Sequence, residues 1–326
     1  MKRDTRGSAS LAFLLALCFG GQAVLAQDGF INCRKFADGI QIQIDGDPSD
    51  WPLDSYGDPA ELPDVDPAEQ VGNNATSNAV NMVPMKTGDH FVFDPAKVLM
   101  NDDASFETEG DEDFQATTYI AWDDAGFYVL NIVTDNLIGW FHGRNPNSRD
   151  MEGQTAWQND GIELWFDNDN DREPPNIQDD QTSQFDLQLD ISIDNELIQE
   201  EFGLEPFDVN GMPLEIQIYR SAWNTNDDQE LEILNKVEHA VKLDDKPAEQ
   251  HTSYVQEIMI PWETFPSFEP DEPIGFNVNW MDWDEQHFQL MRWHQANESS
   301  VEYFREMRFT SDSPLGGTPI ADWSLF

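Results

Sequence analysis

The residues with the most chemical capacity lie in one short run, WQNDGIELWFDNDND at 157–171. Asp167, Asp169 and Asp171 alternate there with Asn168 and Asn170. Hard oxygen donors at alternate positions are how a loop wraps a calcium ion. The run is not an EF-hand, because Arg172 stands where that loop needs glycine and Gln178 where it needs a bidentate glutamate. Just upstream, Glu163 lies close to Trp157 and Trp165. A carboxylate beside an aromatic ring suits a sugar: C–H faces rest on the ring, and hydroxyls donate to carboxylate and amide oxygens.

Enzymatic chemistry finds less support. Glycoside hydrolysis requires two placed carboxylates flanking the scissile bond, and among 64 acidic residues no motif singles out a pair. The six histidines show no H-E-x-x-H spacing, and there is no G-x-S-x-G elbow, P-loop or dinucleotide fingerprint. The sequence points to binding without catalysis.

The elements that must position these groups repeat every two residues. ATTYIAWDDAGFYVLNIVTDN (116–136) predicts a β-hairpin around Asp123-Asp124-Ala125-Gly126, with Gly126 supplying a positive φ. Further strands are predicted at 161–166, 184–193, 214–223, 253–260, 274–283 and 303–309, with IQIQIDG (40–46) as the first strand of the fold. Many short strands separated by turn residues predict an all-β sandwich or jelly roll. Two stretches interrupt the pattern. Residues 57–115 are acidic and rich in Pro, Asn and Gly and read as a long inserted loop; residues 224–250 read as a short helix or a second excursion. Within 161–167, alternation sends Ile162, Leu164 and Phe166 to the core and turns Glu163, Trp165 and Asp167 outwards.

Residues 1–26 have a basic start, an apolar run from Leu11 to Phe19 and a Val24-Leu25-Ala26 exit, the anatomy of a secretory signal peptide. Periplasmic or extracellular export of a single domain, 27–326, is expected. The apolar run is shorter than the ~20 residues a membrane span needs, so no membrane insertion is expected. Removing it takes the 17 basic and 64 acidic residues to 14 and 63, a formal charge of -49. So acidic a chain repels nucleic acid and anionic membranes, and its charge favours solubility in salt. Cys33 alone survives the cleavage, which leaves no intramolecular disulfide and reads as a spectator thiol.

Five segments in order carry a family resemblance: IQIDGDPSDWP (41–52), TYIAWDDAGFYVLNIVTDN (118–136), WQNDGIELWFDNDND (157–171), YVQEIMIPW (254–262) and PIGFNVNWMDWD (273–284). Together they resemble the family 9 carbohydrate-binding modules, from about residue 40 to 310. The resemblance implies an exported, calcium-supported β-sandwich that binds polysaccharide, with a glycoside hydrolase as the partner acting alongside. It implies Trp157 as a stacking ring, Glu163 as the hydroxyl-binding carboxylate and Asn279 as an amide reaching the sugar. For calcium the candidates are Asp135, Asp160, Asp167 and Asp169. Two positions depart from the family pattern: Asp186 stands where a binding arginine is expected, and Tyr303 is the aromatic residue where a second stacking tryptophan belongs. Related DOMON-like sandwiches hold haem b, for which Met100, Met281, Met291, His287 and His294 are ligand types; with no C-x-x-C-H, covalent c-type haem is excluded. A scaffold that has lost ligand binding is the third reading.

Overall fold

The computed structural model describes residues 31–57, 60–61, 86–87, 90–92, 114–136, 138, 160–168, 170, 186–193, 208–209, 212–213, 216–221, 235–246, 251–265, 272–284, 287–292 and 305–317. The strands run in chain order. The first four are β1 (Ile31–Phe36), β2 (Ala60–Glu61), β3 (Lys86–Thr87) and β4 (His90–Val92). Then come β5 (Phe114–Trp122), β6 (Gly126–Asp135), β7 (Gly161–Asp167) and β8 (Asp186–Ser192). Two short strands, β9 (Asp208–Val209) and β10 (Met212–Pro213), precede β11 (Ile216–Ser221) and β12 (Glu238–Leu243). The last are β13 (Ser253–Pro261), β14 (Ile274–Asp284), β15 (His287–Arg292) and β16 (Arg305–Leu315).

Fourteen of these strands form one sheet that curls into a half-barrel, consistent with the expected sandwich or jelly roll. Its path is β11-β8-β7-β14-β16-β1-β5-β4-β3-β2; β6, β13 and β12 continue from β5, and β15 lies on β14. β1 joins the two arms, parallel to β16 on one side and to β5 on the other. Between the arms, Ile162, Leu164 and Phe166 of β7 and Phe276 and Val278 of β14 meet Phe127, Val129 and Val133 of β6 in one buried cluster. The ring centroids of Phe127 lie 5.6 Å from Phe166 and 5.9 Å from Phe276. Polar side chains also cross this core. Trp280 donates through Nε1 to Thr118 Oγ1 at 2.9 Å, and Gln256 donates through Nε2 to the Ile191 carbonyl at 3.1 Å.

Several expectations are corrected. Residues 40–46 are extended but form no strand; the first strand is Ile31–Phe36. Ile40, Ile42 and Ile44 pack on the outer face of β5, β6 and β13, beside Trp51, Tyr128 and Leu130. Period-two alternation marks an extended, one-faced segment, and this one bonds side chains instead of a neighbouring strand: Gln43 N to Asp50, Asp45 N and Gly46 N to Glu257. The stretch 57–115 contains β2, β3, β4 and the start of β5, and 224–250 contains strand β12 where a helix or excursion was expected. There the short EHAVKL segment buries Ala240, Val241 and Leu243 along β13.

The β5–β6 hairpin forms as predicted, with Trp122 opposite Phe127, but Gly126 does not have a positive φ. Asp123 makes the turn, its Oδ1 accepting from Ala125 N at 2.7 Å and Gly126 N at 3.2 Å, an Asx-type closure. Gly126 is required for space: a Cβ there would lie 2.4 Å from the Ile260 carbonyl oxygen. Cys33 is fully buried, and burial pushes its thiol well above the usual value, as a spectator requires.

Candidate functional site

Strand β7 lies between β14 and β8, and the register places Asn279, Glu163 and Asp190 in one row across the three strands. The next row on the same face is Asn277, Trp165 and Gln188. Residues two apart on a strand share a face, so these six side chains form one polar patch backed by the apolar core. Asn279 donates through Nδ2 to Glu163 Oε2 at 2.7 Å, and Trp165 donates through Nε1 to the same oxygen at 3.3 Å. Asn277 donates through Nδ2 to Asn279 Oδ1 at 3.3 Å, and Gln188 through Nε2 to Asp190 Oδ1 at 2.8 Å.

Alternation therefore separates the faces as expected, but Glu163 does not point to open solvent. All seven residues of β7 are buried, Glu163 at 5 % exposure and Trp165 at 7 %. Alternation reports which residues share a face, and a polar face can be buried when its groups bond one another. Gly161 at the start of the strand adopts φ +156°, and a Cβ there would meet the Ile191 carbonyl oxygen at 2.2 Å and the Met281 methyl at 2.9 Å. Close approach of three elements demands glycine at this point.

At that end of the strands, on the core side, Asp135, Asp160 and Asp282 each place a carboxylate oxygen within 4.8 Å of the others. All three are buried. Backbone contacts fix two of them: Asp135 N donates to the Thr252 carbonyl and Ile193 N to the Asp160 carbonyl, both at 2.9 Å. The field of the cluster registers on neighbouring Tyr254, whose phenol is pushed well above its usual value by burial and then by Asp160, Asp135 and Asp282. Three carboxylates crowded in low dielectric repel strongly. An all-oxygen anionic donor set of this kind suits a hard divalent cation.

The structure thus unites two of the four expected metal ligands, Asp135 and Asp160, and adds Asp282. Asp167 is correctly on the Glu163 face but at the opposite end of β7, about 20 Å along the strand from Asp160 at the usual rise. It packs against Gly275, where a Cβ would meet its own Cβ at 2.9 Å. Asp169, Trp157 and Tyr303 lie outside the described residues. Asp186 stands opposite Asp167, whereas the direct neighbour of Glu163 on β8 is Asp190. Of the haem ligand types, Met281 is buried against Gly161, Met291 and His287 lie on β15 opposite Trp280 and Asp284, and Met100 and His294 lie outside the described residues.

Asp282 was missed, yet a signal exists. Each metal candidate is the acid at the end of a core-facing, mostly apolar series: Ile274, Phe276, Val278, Trp280 then Asp282; Phe127, Val129, Asn131, Val133 then Asp135; Asp160 before Ile162, Leu164 and Phe166. A carboxylate in phase with the buried residues of three strands must share a site or face a large desolvation cost.

Residues 92–309, about two thirds of the 326-residue chain, match the family model for carbohydrate family 9 binding domain-like proteins. No curated protein matches the chain. Among solved structures, a carbohydrate-binding module of family 9 from Caldicellulosiruptor kristjanssonii in complex with cellotriose is 15% identical, with 90% of this chain and 99% of that chain covered and a TM-score of 0.43. A family 9 module from the same organism in complex with glucose is also 15% identical, covering 87% and 97%, with a TM-score of 0.42. The family match over 92–309 agrees with the all-β architecture, and the chain belongs to the carbohydrate family 9 binding domain-like family, as a non-catalytic carbohydrate-binding module.

Proposed function

We propose that the face built on Glu163, Asn279 and Asp190 is the saccharide site, and that its ligand is a neutral oligosaccharide. The carrying observation is the 2.7 Å hydrogen bond from Asn279 Nδ2 to Glu163 Oε2. It holds an acceptor and an amide side by side on adjacent strands, with Trp165 against them. That pairing meets vicinal hydroxyls, which donate to the carboxylate and accept from or donate to the amide. Trp157 and Tyr303 are proposed as the stacking rings of this site.

Asp135, Asp160 and Asp282 would hold calcium. Bound there, the ion would offset two of the three negative charges and fasten β6 to the ends of β7 and β14, the strands that carry Glu163 and Asn279. The working protein is proposed to be residues 27–326, exported as a single domain, periplasmic or extracellular, and acting beside a glycoside hydrolase.

The test is calorimetric titration of residues 27–326 with cellotriose and glucose in the presence of calcium. Glu163→Gln removes the charge that receives the hydroxyls, and a hydrogen bond to a charged group is worth roughly 1.5–3 kcal/mol. Affinity should fall about 10–100-fold. Unchanged affinity would move the site off this face.

A further inference from the structure

Three neighbouring strands interrupt their core-facing apolar residues at the same level. Thr118 stands between Ala116 and Ile120 on β5, Asn131 between Val129 and Val133 on β6, and Gln256 between Tyr254 and Ile258 on β13. The register sets Thr118 opposite Asn131 and Asn131 opposite Gln256, so the three form one polar row, each 0 % exposed. Both ends of this row are bonded across the core, to Trp280 of β14 and to Ile191 of β8. Trp280, Ile162 and Ile191 are themselves one row of the opposite arm, and along the same strands the next row is Asn279, Glu163 and Asp190.

The direction of each bond is forced, because an indole N–H only donates and a carbonyl only accepts. Trp280 Nε1 donates to Thr118 Oγ1 at 2.9 Å and to Asn131 Oδ1 at 3.2 Å, and the Thr118 hydroxyl donates to the same Asn131 oxygen at 2.7 Å. Asn131 Nδ2 is thereby turned to Gln256 Oε1, at 3.4 Å. Gln256 Nε2 then donates to the Ile191 carbonyl at 3.1 Å and to His239 Nε2 at 3.2 Å. His239 must accept at Nε2 and carry its proton on Nδ1. Burial lowers its imidazole to about 3, so the ring is neutral.

An apolar row would be easier to bury here, since each polar group in a core must find a partner. Apolar contact has no direction; a hydrogen bond fixes both distance and angle, here between strands that share no ladder. We infer that Asn131 and Gln256 are positioning residues for the saccharide row, holding β14 and β8 from within the core so that Asn279 and Asp190 stand at a set spacing on either side of Glu163. This rests on the carbohydrate reading of that face and adds what keeps it in shape. Ile162 of β7 lies between the two held strands and takes its place from their ladders. Without the Gln256 bond, Ile191 and the adjoining Asp190 can shift against Glu163, and the groups that meet the sugar hydroxyls fall out of step.

The test titrates residues 27–326, with calcium, against cellotriose for the wild type, Gln256→Met, Trp280→Phe and Leu130→Ala, well below each melting temperature. Methionine fills the space of glutamine without its amide, and it should weaken cellotriose about 10-fold, the scale of one charged hydrogen bond lost from the face. Trp280→Phe removes the indole N–H at the β14 end; it should act in the same direction, and it carries the test if Gln256→Met does not fold. Leu130→Ala truncates the apolar cluster on the outer face of β6. It should lower the melting temperature at least as much yet leave affinity within about twofold, as an independent site does. An equal loss of affinity in Leu130→Ala would make the effect one of stability alone and overturn the inference. In the wild type, nitrogen NMR should find His239 as the Nδ1–H tautomer. An Nε2–H ring would turn the Gln256 amide round, set its oxygen against the Ile191 carbonyl, and overturn the inference without any substitution. If Gln256→Met and Trp280→Phe bind like wild type while Glu163→Gln loses affinity, the inference fails and the saccharide reading stands. If the wild type binds no cellotriose, both fail.

Discussion

Two buried glutamates, each bonded to a tryptophan indole, do different work on the two arms of the sheet. Glu257 on β13 accepts from Trp51 Nε1 at 2.7 Å, Asp45 N at 3.0 Å and Gly46 N at 2.6 Å. Two of those donors are backbone groups of the segment that crosses the outer face of β6 and β13. Burial raises the Glu257 carboxyl above its usual range, against the opposing pull of the Asp45, Trp51 and Gly46 donors. Glu163 on β7 accepts from two side chains of its own sheet face, Asn279 and Trp165. The source of the donors separates the roles. A carboxylate that collects backbone N–H groups from a distant segment is a clamp, because the chain cannot satisfy those groups elsewhere without unwrapping. A carboxylate surrounded by side chains on one face is part of an array that can exchange partners for ligand hydroxyls.

The contrast breaks most visibly at the clamp. Glu257→Leu leaves the Asp45 and Gly46 amides and the Trp51 indole without their acceptor, and each buried donor so orphaned costs about 1–3 kcal/mol. Chemical denaturation should show that loss, and the segment around residues 40–56 should lose hydrogen-exchange protection first. A drop below about 1 kcal/mol would mean that the apolar packing of Ile40, Ile42, Ile44 and Trp51 holds the segment without the glutamate. Glu163→Gln should do the opposite: stability within about 1 kcal/mol of wild type, because glutamine can still accept from Asn279, but saccharide affinity reduced as described above.

Smaller effects sharpen the comparison. Chelation, or Asp282→Asn, should lower the melting temperature by about 5–10 °C, the scale of a few kcal/mol of linked binding. Because Asp160 and Asp282 each lie three residues from the Glu163–Asn279 row, sugar affinity should fall with it, while exchange protection at Asp45 and Gly46 is retained. Chelation that leaves both melting and binding unchanged would remove the cation from this account.

The smallest effect concerns Asp244, near the start of the turn between β12 and β13. Burial alone would raise its carboxyl; bonds from His251 Nδ1, Thr252 N and Lys246 outweigh that and hold it well below the usual carboxylate range. The sign follows from the folded value lying below the unfolded one. Its contribution is present above the unfolded value of about 4 and is lost as pH falls below that. The difference in melting temperature between wild type and Asp244→Asn should be full at pH 7 and shrink through the acid range. A gap that persists unchanged at pH 2 would show that the carboxylate charge is irrelevant there.

Much of the strand inventory was legible because half-buried strands write their geometry as period two. The segments around 116–135, 161–167, 253–261 and 274–284 all formed strands where the alternation placed them. The same signal misled at 40–46, since alternation records which residues face the protein and is silent on what the backbone bonds to. Gly126 was read as a φ requirement and proved to be a space requirement, because the nearby Ile260 carbonyl is far away in sequence. Glu163 and Asn279 were each named through the family pattern, without their standing side by side, while Asp190, Gln188 and Asn277 were not named. Nothing local to QFDLQLD or GFNVN says that they will stand in register with β7.

The sequence by itself determined the face on which each side chain lies, since Cβ direction alternates along any extended chain. It also determined the family, the excess of acid and the lack of catalytic motifs. Only the tertiary structure decided which acids meet. Asp135, Asp160 and Asp282 come from three strands of different registers, and their convergence within 4.8 Å depends on how the two arms of the sheet fold over one another. Pairing register is a long-range property, set by packing of Phe127, Phe166 and Phe276 across the core. A site assembled from several strands is therefore written in their register and cannot be read from any one of them.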